Sequence, residues 1–204
     1  IFVASTSTDA VWWVDAPRGG APSSPPLVAV GDGPRALDRW TDAGGRDWLV
    51  VVHAFEPTLW LLPIRRPDGT PRVLAVDAFA LEDVVVTAPR RGPGVAWVTS
   101  RGTDAVHAIR LPDGAEVDRH PVGVDPGPLA VGRRRDGAPV VMTGNAGSDD
   151  VSVVSVSPEG RATGVRIGAG PGARILGGGT EAYAPWVMGS KAPRALAARD
   201  APGR

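Results

Sequence analysis

Cysteine is absent from the 204 residues, and that single absence removes several chemistries. No disulfide, thiolate metal site, covalent c-type haem attachment or cysteine nucleophile is available. The redox compartment stays open, because a cysteine-free chain can live in either environment. Net charge is missing as well: 22 basic residues meet 22 acidic ones, so nothing argues electrostatically for nucleic acid or an anionic membrane surface. No apolar run approaches the roughly 20 residues that span a bilayer. The chain opens Ile1-Phe2-Val3, with no initiator methionine and no signal-like segment, inside what reads as a strand, so the expectation is that upstream sequence has been removed or left out. Gly-x-Ser-x-Gly, a phosphate-cradling loop, a dinucleotide fingerprint and zinc-ligand spacing do not occur. Helical periodicity is poor, and only residues 192–200 read as a short helix.

What is present is a repeat. Hydrophobic residues make up 43%, enough to build a core, and the 27 glycines and 21 prolines recur at fixed places rather than filling a linker. A polar hairpin followed by an apolar strand returns four times, with equivalent apolar positions at Val11, Leu59, Val106 and Val151, spaced 48, 47 and 45 residues apart. A tight turn recurs as Pro17-Arg18-Gly19, Pro67-Asp68-Gly69, Pro112-Asp113-Gly114 and Pro158-Glu159-Gly160. Proline presets φ at the first corner and glycine accepts the positive φ that follows. A Gly-x-x-Pro loop recurs at Gly31–Pro34, Gly123–Pro126 and Gly168–Pro171; the absent copy is expected near Asp77-Ala78-Phe79-Ala80, which has lost both residues. All three markers share a period of about 46 residues.

Between markers lie short segments rich in Val, Ile, Leu and Trp, which read as strands. The third repeat holds four, at about 83–88, 95–99, 105–111 and 115–122. Four strands in 40–50 residues is the pattern of a β-propeller blade, whereas a solenoid would have fewer strands per turn. The fold class is therefore all-β: a propeller of four-stranded antiparallel blades. Two segments, Val98-Thr99-Ser100-Arg101-Gly102-Thr103-Asp104 and Thr143-Gly144-Asn145-Ala146-Gly147-Ser148-Asp149, resemble the YVTN (lactonase-like) β-propeller repeats, and the resemblance extends over about residues 1–176. It implies a ring of about seven blades, of which this chain would be a part.

The expected division is a partial blade at 1–34, blades at 35–80, 81–127 and 128–171, and a segment at 172–176 that either starts another blade or closes a four-bladed ring. Residues 177–204 read as a degenerate last strand and a C-terminal tail.

In such a ring the interblade loops and middle hairpins crowd one face, where a ligand site belongs. His53 with Glu56 suggests a general base and its carboxylate, and Arg101 could hold an anion, so these three are the catalytic candidates. His53, Arg101, Asp104, Asn145 and Asp149 are the ligand-binding candidates. The competing reading is that hairpins simply need polar residues. No metal is expected: His53, His107 and His120 lack ligand spacing with one another, His107 is expected to face solvent or the neighbouring blade, and Asp149-Asp150 lacks the calcium-loop pattern. Trp12, Trp13, Trp60 and Trp97 fit packing between blades better than sugar stacking. Arg133-Arg134-Arg135 reads as a solvated hairpin in a chain without a basic face.

The leading functional expectation is a non-catalytic binding or scaffold module that presents its loops to a small molecule or a protein. It has no cofactor, nucleic acid or membrane span. The alternatives are a lactonase-like hydrolase with an axial pocket, and the scaffold portion of a periplasmic redox enzyme. The resemblance implies a periplasmic or extracellular location.

Overall fold

The valine-, leucine- and tryptophan-rich segments do form strands, and each pairs with the next in sequence. The computed structural model describes residues 1–13, 27–64, 69–88, 93–135, 138–156 and 162–168. The first sheet contains β1 (Phe2–Ser5), β2 (Ala10–Trp13) and β3 (Leu27–Ala29). The second contains β4 (Pro34–Thr41), β5 (Asp47–His53), β6 (Thr58–Pro63) and β7 (Arg72–Ala75). The third contains β8 (Leu81–Thr87), β9 (Gly94–Ser100), β10 (Ala105–Leu111) and β11 (Glu116–Pro121). The fourth contains β12 (Pro126–Arg133), β13 (Pro139–Asn145), β14 (Asp150–Val156) and β15 (Ala162–Gly168). Every pairing is antiparallel, and among the described residues there is no helix. The last three sheets are the four-stranded meanders of a β-propeller and the first is a three-stranded one, with β4, β8 and β12 side by side as the first strands of their blades. The proposed closing segment at 172–176, the tail and the 192–200 helix lie outside the described residues.

Period-2 alternation lets one strand serve two interfaces. On β5, which is buried throughout, Trp48, Val50 and Val52 face the third sheet and join Leu59, Leu61, Val84, Val98 and Ile109 in one core. Leu49 and Val51 point the other way, into a core with Val11 and Leu62. A third core packs Trp97, Val106 and Ala108 against Val141 and Val154. Each such Val or Leu contributes about 1.5–3 kcal/mol on burial. Trp40, Trp48 and Trp97 are buried in these layers, and Trp12, Trp13 and Trp60 are half-buried on strands. These six tryptophans are packing residues.

The first strand of each blade has an unpaired edge, a row of amides with no ladder partner. At β8 and β12 a carboxylate from the preceding blade covers part of it. Asp38 on β4 accepts Val86 N of β8 through Oδ2 at 2.5 Å, and Asp83 on β8 accepts Leu129 N of β12 at 2.6 Å. Each also accepts the next amide on its own strand through Oδ1 (Arg39 N at 2.7 Å, Val84 N at 2.8 Å). Burial pushes both carboxyls above the usual range, and the donated amides pull the other way.

The loops obey the repeat in backbone as well as sequence. Each interblade loop holds one residue at positive φ: Gly33 (67°), Ala80 (51°) and Asp125 (57°). The lost Gly-x-x-Pro copy is thus Ala78-Phe79-Ala80-Leu81, one residue later than its composition suggested. Of the tight turns, Pro112-Asp113-Gly114 is described and carries the expected positive φ at Gly114 (78°). Residues 17–19, 67–68 and 158–160 lie outside the described residues.

Candidate functional site

The second and third strands of every blade are joined by a four-residue hairpin, and each hairpin after the first docks on the preceding interblade loop. Ala54 N donates to Gly33 O at 2.8 Å, Arg101 N to Ala80 O at 3.0 Å and Ala146 N to Asp125 O at 2.9 Å. Hairpin aspartates reach forward to the following loop: Asp9 Oδ1 accepts Gly33 N at 2.9 Å and Asp104 Oδ1 accepts Asp125 N at 2.9 Å. Asp9, Asp104 and Asp149 all sit at positive φ (48°, 47° and 52°), a conformation Asp tolerates better than most residues. This double stitching gathers the hairpins and loops on one face.

His53 closes β5 directly beneath that face, and its side chain is fully buried. Nδ1 lies 3.2 Å from Thr58 O, an acceptor only, so Nδ1 carries the proton. Nε2 is then the lone-pair nitrogen, and it has no hydrogen-bond partner. Burial pushes the imidazole below its usual range, against the pull of Thr58 O and of the Glu56, Asp32 and Asp9 charges. Trp60 packs edge-on at 5.7 Å between ring centres. Glu56 does not bond His53. Its Oε1 accepts Thr58 Oγ1 at 2.6 Å and Trp60 Nε1 at 3.4 Å, and its Oε2 accepts Asp32 N at 3.1 Å. The Thr58 hydroxyl leads the contacts that hold Glu56 below the usual carboxylate range.

Strand pairing shows what His53 is in the repeat. Pro34 faces His53, Leu81 faces Ser100 and Pro126 faces Asn145. All three second-strand residues are fully buried. Ser100 Oγ donates to Phe79 O at 2.7 Å and accepts Thr103 N at 3.2 Å. Asn145 Nδ2 donates to Asp150 Oδ1 at 2.6 Å and Ser152 Oγ at 2.9 Å, while its Oδ1 has no partner. One polar residue per blade anchors the hairpin base.

Arg101 is engaged by carboxylates. Its Nε bonds Asp125 Oδ1, and its Nη1 lies 3.9 Å from Glu82 Oε2. Glu82 also takes Arg35 Nη2 at 2.6 Å, so Arg35, Glu82, Arg101 and Asp125 form a line of alternating charge across three blades. Of the six candidate residues, His53 and Glu56 lie in one hairpin, Arg101 and Asp104 in the next, and Asn145 and Asp149 in the last. Sequence patterns missed Arg35, Glu82 and Asp125; a position-by-position alignment of the repeats puts Arg35 and Glu82 at the same place on β4 and β8, and Asp125 at the positive-φ position of its interblade loop.

Of the two orientations expected for His107, toward solvent or the neighbouring blade, the solvent one does not hold: the side chain is fully buried, on the strand face it shares with Ile109 and Leu111. Its Nε2 lies 2.8 Å from Thr103 Oγ1 and its Nδ1 3.2 Å from Glu116 Oε1. Arg119 carries the chain on from Glu116 (2.9 Å) to Asp77 (2.8 Å) in the preceding interblade loop. A histidine with both nitrogens paired can be buried on a strand at modest cost. Among the described residues no group of three or more histidine and carboxylate side chains could hold a metal ion. Among them also, no helix is long and apolar enough to cross a membrane.

No family model and no curated protein matches the chain. Solved structures do. The chain is similar to hydrazine synthase of Kuenenia stuttgartiensis at 21% identity and a TM-score of 0.61, covering 82% of this chain and 46% of that one. It is also similar to a protein of unknown function from Bacteroides caccae at 14% identity and a TM-score of 0.50, covering 79% of this chain and 55% of that one. The chain thus spans about half the length of each. At these identities the likeness is one of fold, the β-propeller.

Proposed function

We propose that the chain is a non-catalytic β-propeller module of the YVTN type, part of a larger ring, which acts outside the cytoplasm by presenting the stitched hairpin face to a partner. One observation carries the reading: the polar groups that would do chemistry on that face are engaged in holding it. His53 is buried and anchors a hairpin, Glu56 accepts a hydroxyl and a loop amide, and Arg101 is paired with two carboxylates. A general base must reach the proton it takes, and the lone-pair nitrogen of His53 has no exposure to substrate. The larger ring and the location rest on the YVTN-like segments.

The competing lactonase-like reading makes the opposite demand on one residue. Wild-type protein and His53→Ala are compared for hydrolysis of simple lactones and for urea stability. The module reading expects no turnover by either and a stability loss of about 1–3 kcal/mol in the variant, from the lost packing and hairpin anchor. Lactone turnover that disappears in an equally stable variant would overturn it.

A further inference from the structure

The 22-against-22 balance of the chain conceals a strong local imbalance. The hairpins at 6–9, 54–57, 101–104 and 146–149 bring Asp9, Glu56, Asp104 and Asp149 to the stitched face. The interblade loops at 30–33, 76–80 and 122–125 add Asp32, Asp77 and Asp125. Against these seven carboxylates the same connections carry one cation, Arg101, which pairs with Asp125, while Arg119 of β11 reaches Asp77; Asp9, Asp32, Glu56, Asp104 and Asp149 make up the remaining five. Asp9 and Asp104 each accept a loop amide, and the Thr58 hydroxyl leads the contacts that hold Glu56 below the usual carboxylate range.

The same connections hold three exposed large apolar side chains, Phe55 (72% exposed), Phe79 (61%) and Val124 (52%). There is one at each hairpin–loop junction. Each is seated on a glycine of the adjoining segment: Phe55 on Gly33, Phe79 on Gly102 and Val124 on Gly147, where a Cβ would collide with the side chain. These anchors are therefore pre-positioned, and little side-chain entropy is lost when something covers them. Beneath the first junction the buried His53 Nε2 is unpartnered, with Glu56, Asp32 and Asp9 as its neighbouring charges.

We propose that this face docks a cationic polypeptide segment that interleaves Lys or Arg with apolar side chains, a partner class that rests on the binding-module reading above. Carboxylates spread along the face, with no convergent ligand set among the described residues, suit a multivalent cation rather than a metal ion. The apolar anchors at regular junctions ask for hydrophobic side chains between the positive ones, which a polyamine lacks. An anionic lipid surface would be repelled.

The test uses the whole 204-residue chain and three labelled synthetic peptides of equal length, in which leucine alternates with lysine, serine or glutamate; a fourth alternates glycine with lysine. Fluorescence anisotropy is expected to give binding for the Lys–Leu peptide, at least about tenfold tighter than for the Ser–Leu or Lys–Gly peptides, and none for Glu–Leu. Raising salt from about 0.05 to 0.3 M should weaken it by about tenfold, because the charges are exposed. Asp32→Lys and Phe79→Leu, each checked for an unchanged melt, should weaken it several-fold. Ser–Leu or Lys–Gly binding equal to Lys–Leu, no binding of any peptide, or indifference to Asp32→Lys in the folded variant overturns the inference. Lactone turnover by the wild type would instead overturn the non-catalytic reading and leave the charge pattern standing, so the two failures are separable.

Discussion

Ala80 is an alanine where the repeat places glycine or aspartate, and it adopts φ of 51° at the junction between the second and third blades. An L-residue with a Cβ in the left-handed region costs roughly 1–2 kcal/mol relative to glycine. Ala80→Gly removes that strain and returns roughly 0.5–1 kcal/mol of it as extra chain entropy in the unfolded state. The side chain is only half-buried, so little packing is lost with the methyl. The net expectation is a gain of about 0.5 kcal/mol, read as a higher urea midpoint at constant slope or as a melting rise of about 1–2 °C. Gly33→Ala is the counterpart. It places a Cβ at φ of 67° within 2.5 Å of where the Phe55 ring lies, so strain and collision add. That variant should lose about 2 kcal/mol or more. If Ala80→Gly instead destabilised the chain by more than about 0.5 kcal/mol, the strain argument would be refuted and the Ala80 methyl would have to be making contacts that outweigh it.

Asp83→Ala leaves Leu129 N and Val84 N without their acceptor and should cost about 2 kcal/mol in urea unfolding, with hydrogen exchange at Leu129 accelerated before that of the buried β13 amides. Burial lowers the pKa of both His53 and His107, so the unfolded chain binds more protons than the native one just below the ordinary histidine value. Stability is fully present above about pH 6.5 and falls as pH drops from there toward the lowered native values. The double variant His53→Gln, His107→Gln should flatten that slope between about pH 7.5 and 5.5; an unchanged slope would place the proton uptake elsewhere. Asp38 and Asp83 act with the opposite sign, nearer the ordinary aspartate value, which is why the scan stops above that range. Leu61→Ala should cost about 2–5 kcal/mol, because its fully buried side chain belongs to the core shared by the second and third blades.

The fold was legible because the repeat states each blade several times over. The unbroken apolar run Trp48-Leu49-Val50-Val51-Val52 announces a strand buried on both faces, and the Pro-Asp-Gly turn announces the hairpin that follows β10. The site was less legible. Residue type made His53 look like a base, whereas burial and the Thr58 carbonyl make it a hairpin anchor, and those depend on neighbours brought in by the fold. The interleaving of His107 with Val106 and Ala108 turns it toward solvent or the neighbouring blade and does not say which, whereas in the fold it is fully buried. The glutamate that makes its burial tolerable comes from β11. Phe55 and Phe79 carried no motif at all. Their meaning lies in which glycine each one covers, a relation between residues of different connections.

A repeat protein offers its own control for separating support from function. Ser5, His53, Ser100 and Asn145 share one position with three chemistries, so what the position requires is a polar hairpin anchor rather than an imidazole. The aspartates at Asp9 and Asp104 keep one task, capping the amide of the next loop's positive-φ residue, and that constancy marks them as structural. The second blade breaks the rule twice at one junction: Pro57 stands where the capping aspartate belongs, and Ala80 stands where the loop wants glycine or aspartate. Two lapses at one contact indicate that this junction is held by other means. The means are visible in Ser100 Oγ on Phe79 O and in Arg119 on Asp77, both tying the same loop to the third blade. The loop so held carries Phe79, one of the exposed apolar anchors, and the departure from the repeat therefore falls where the proposed partner would sit.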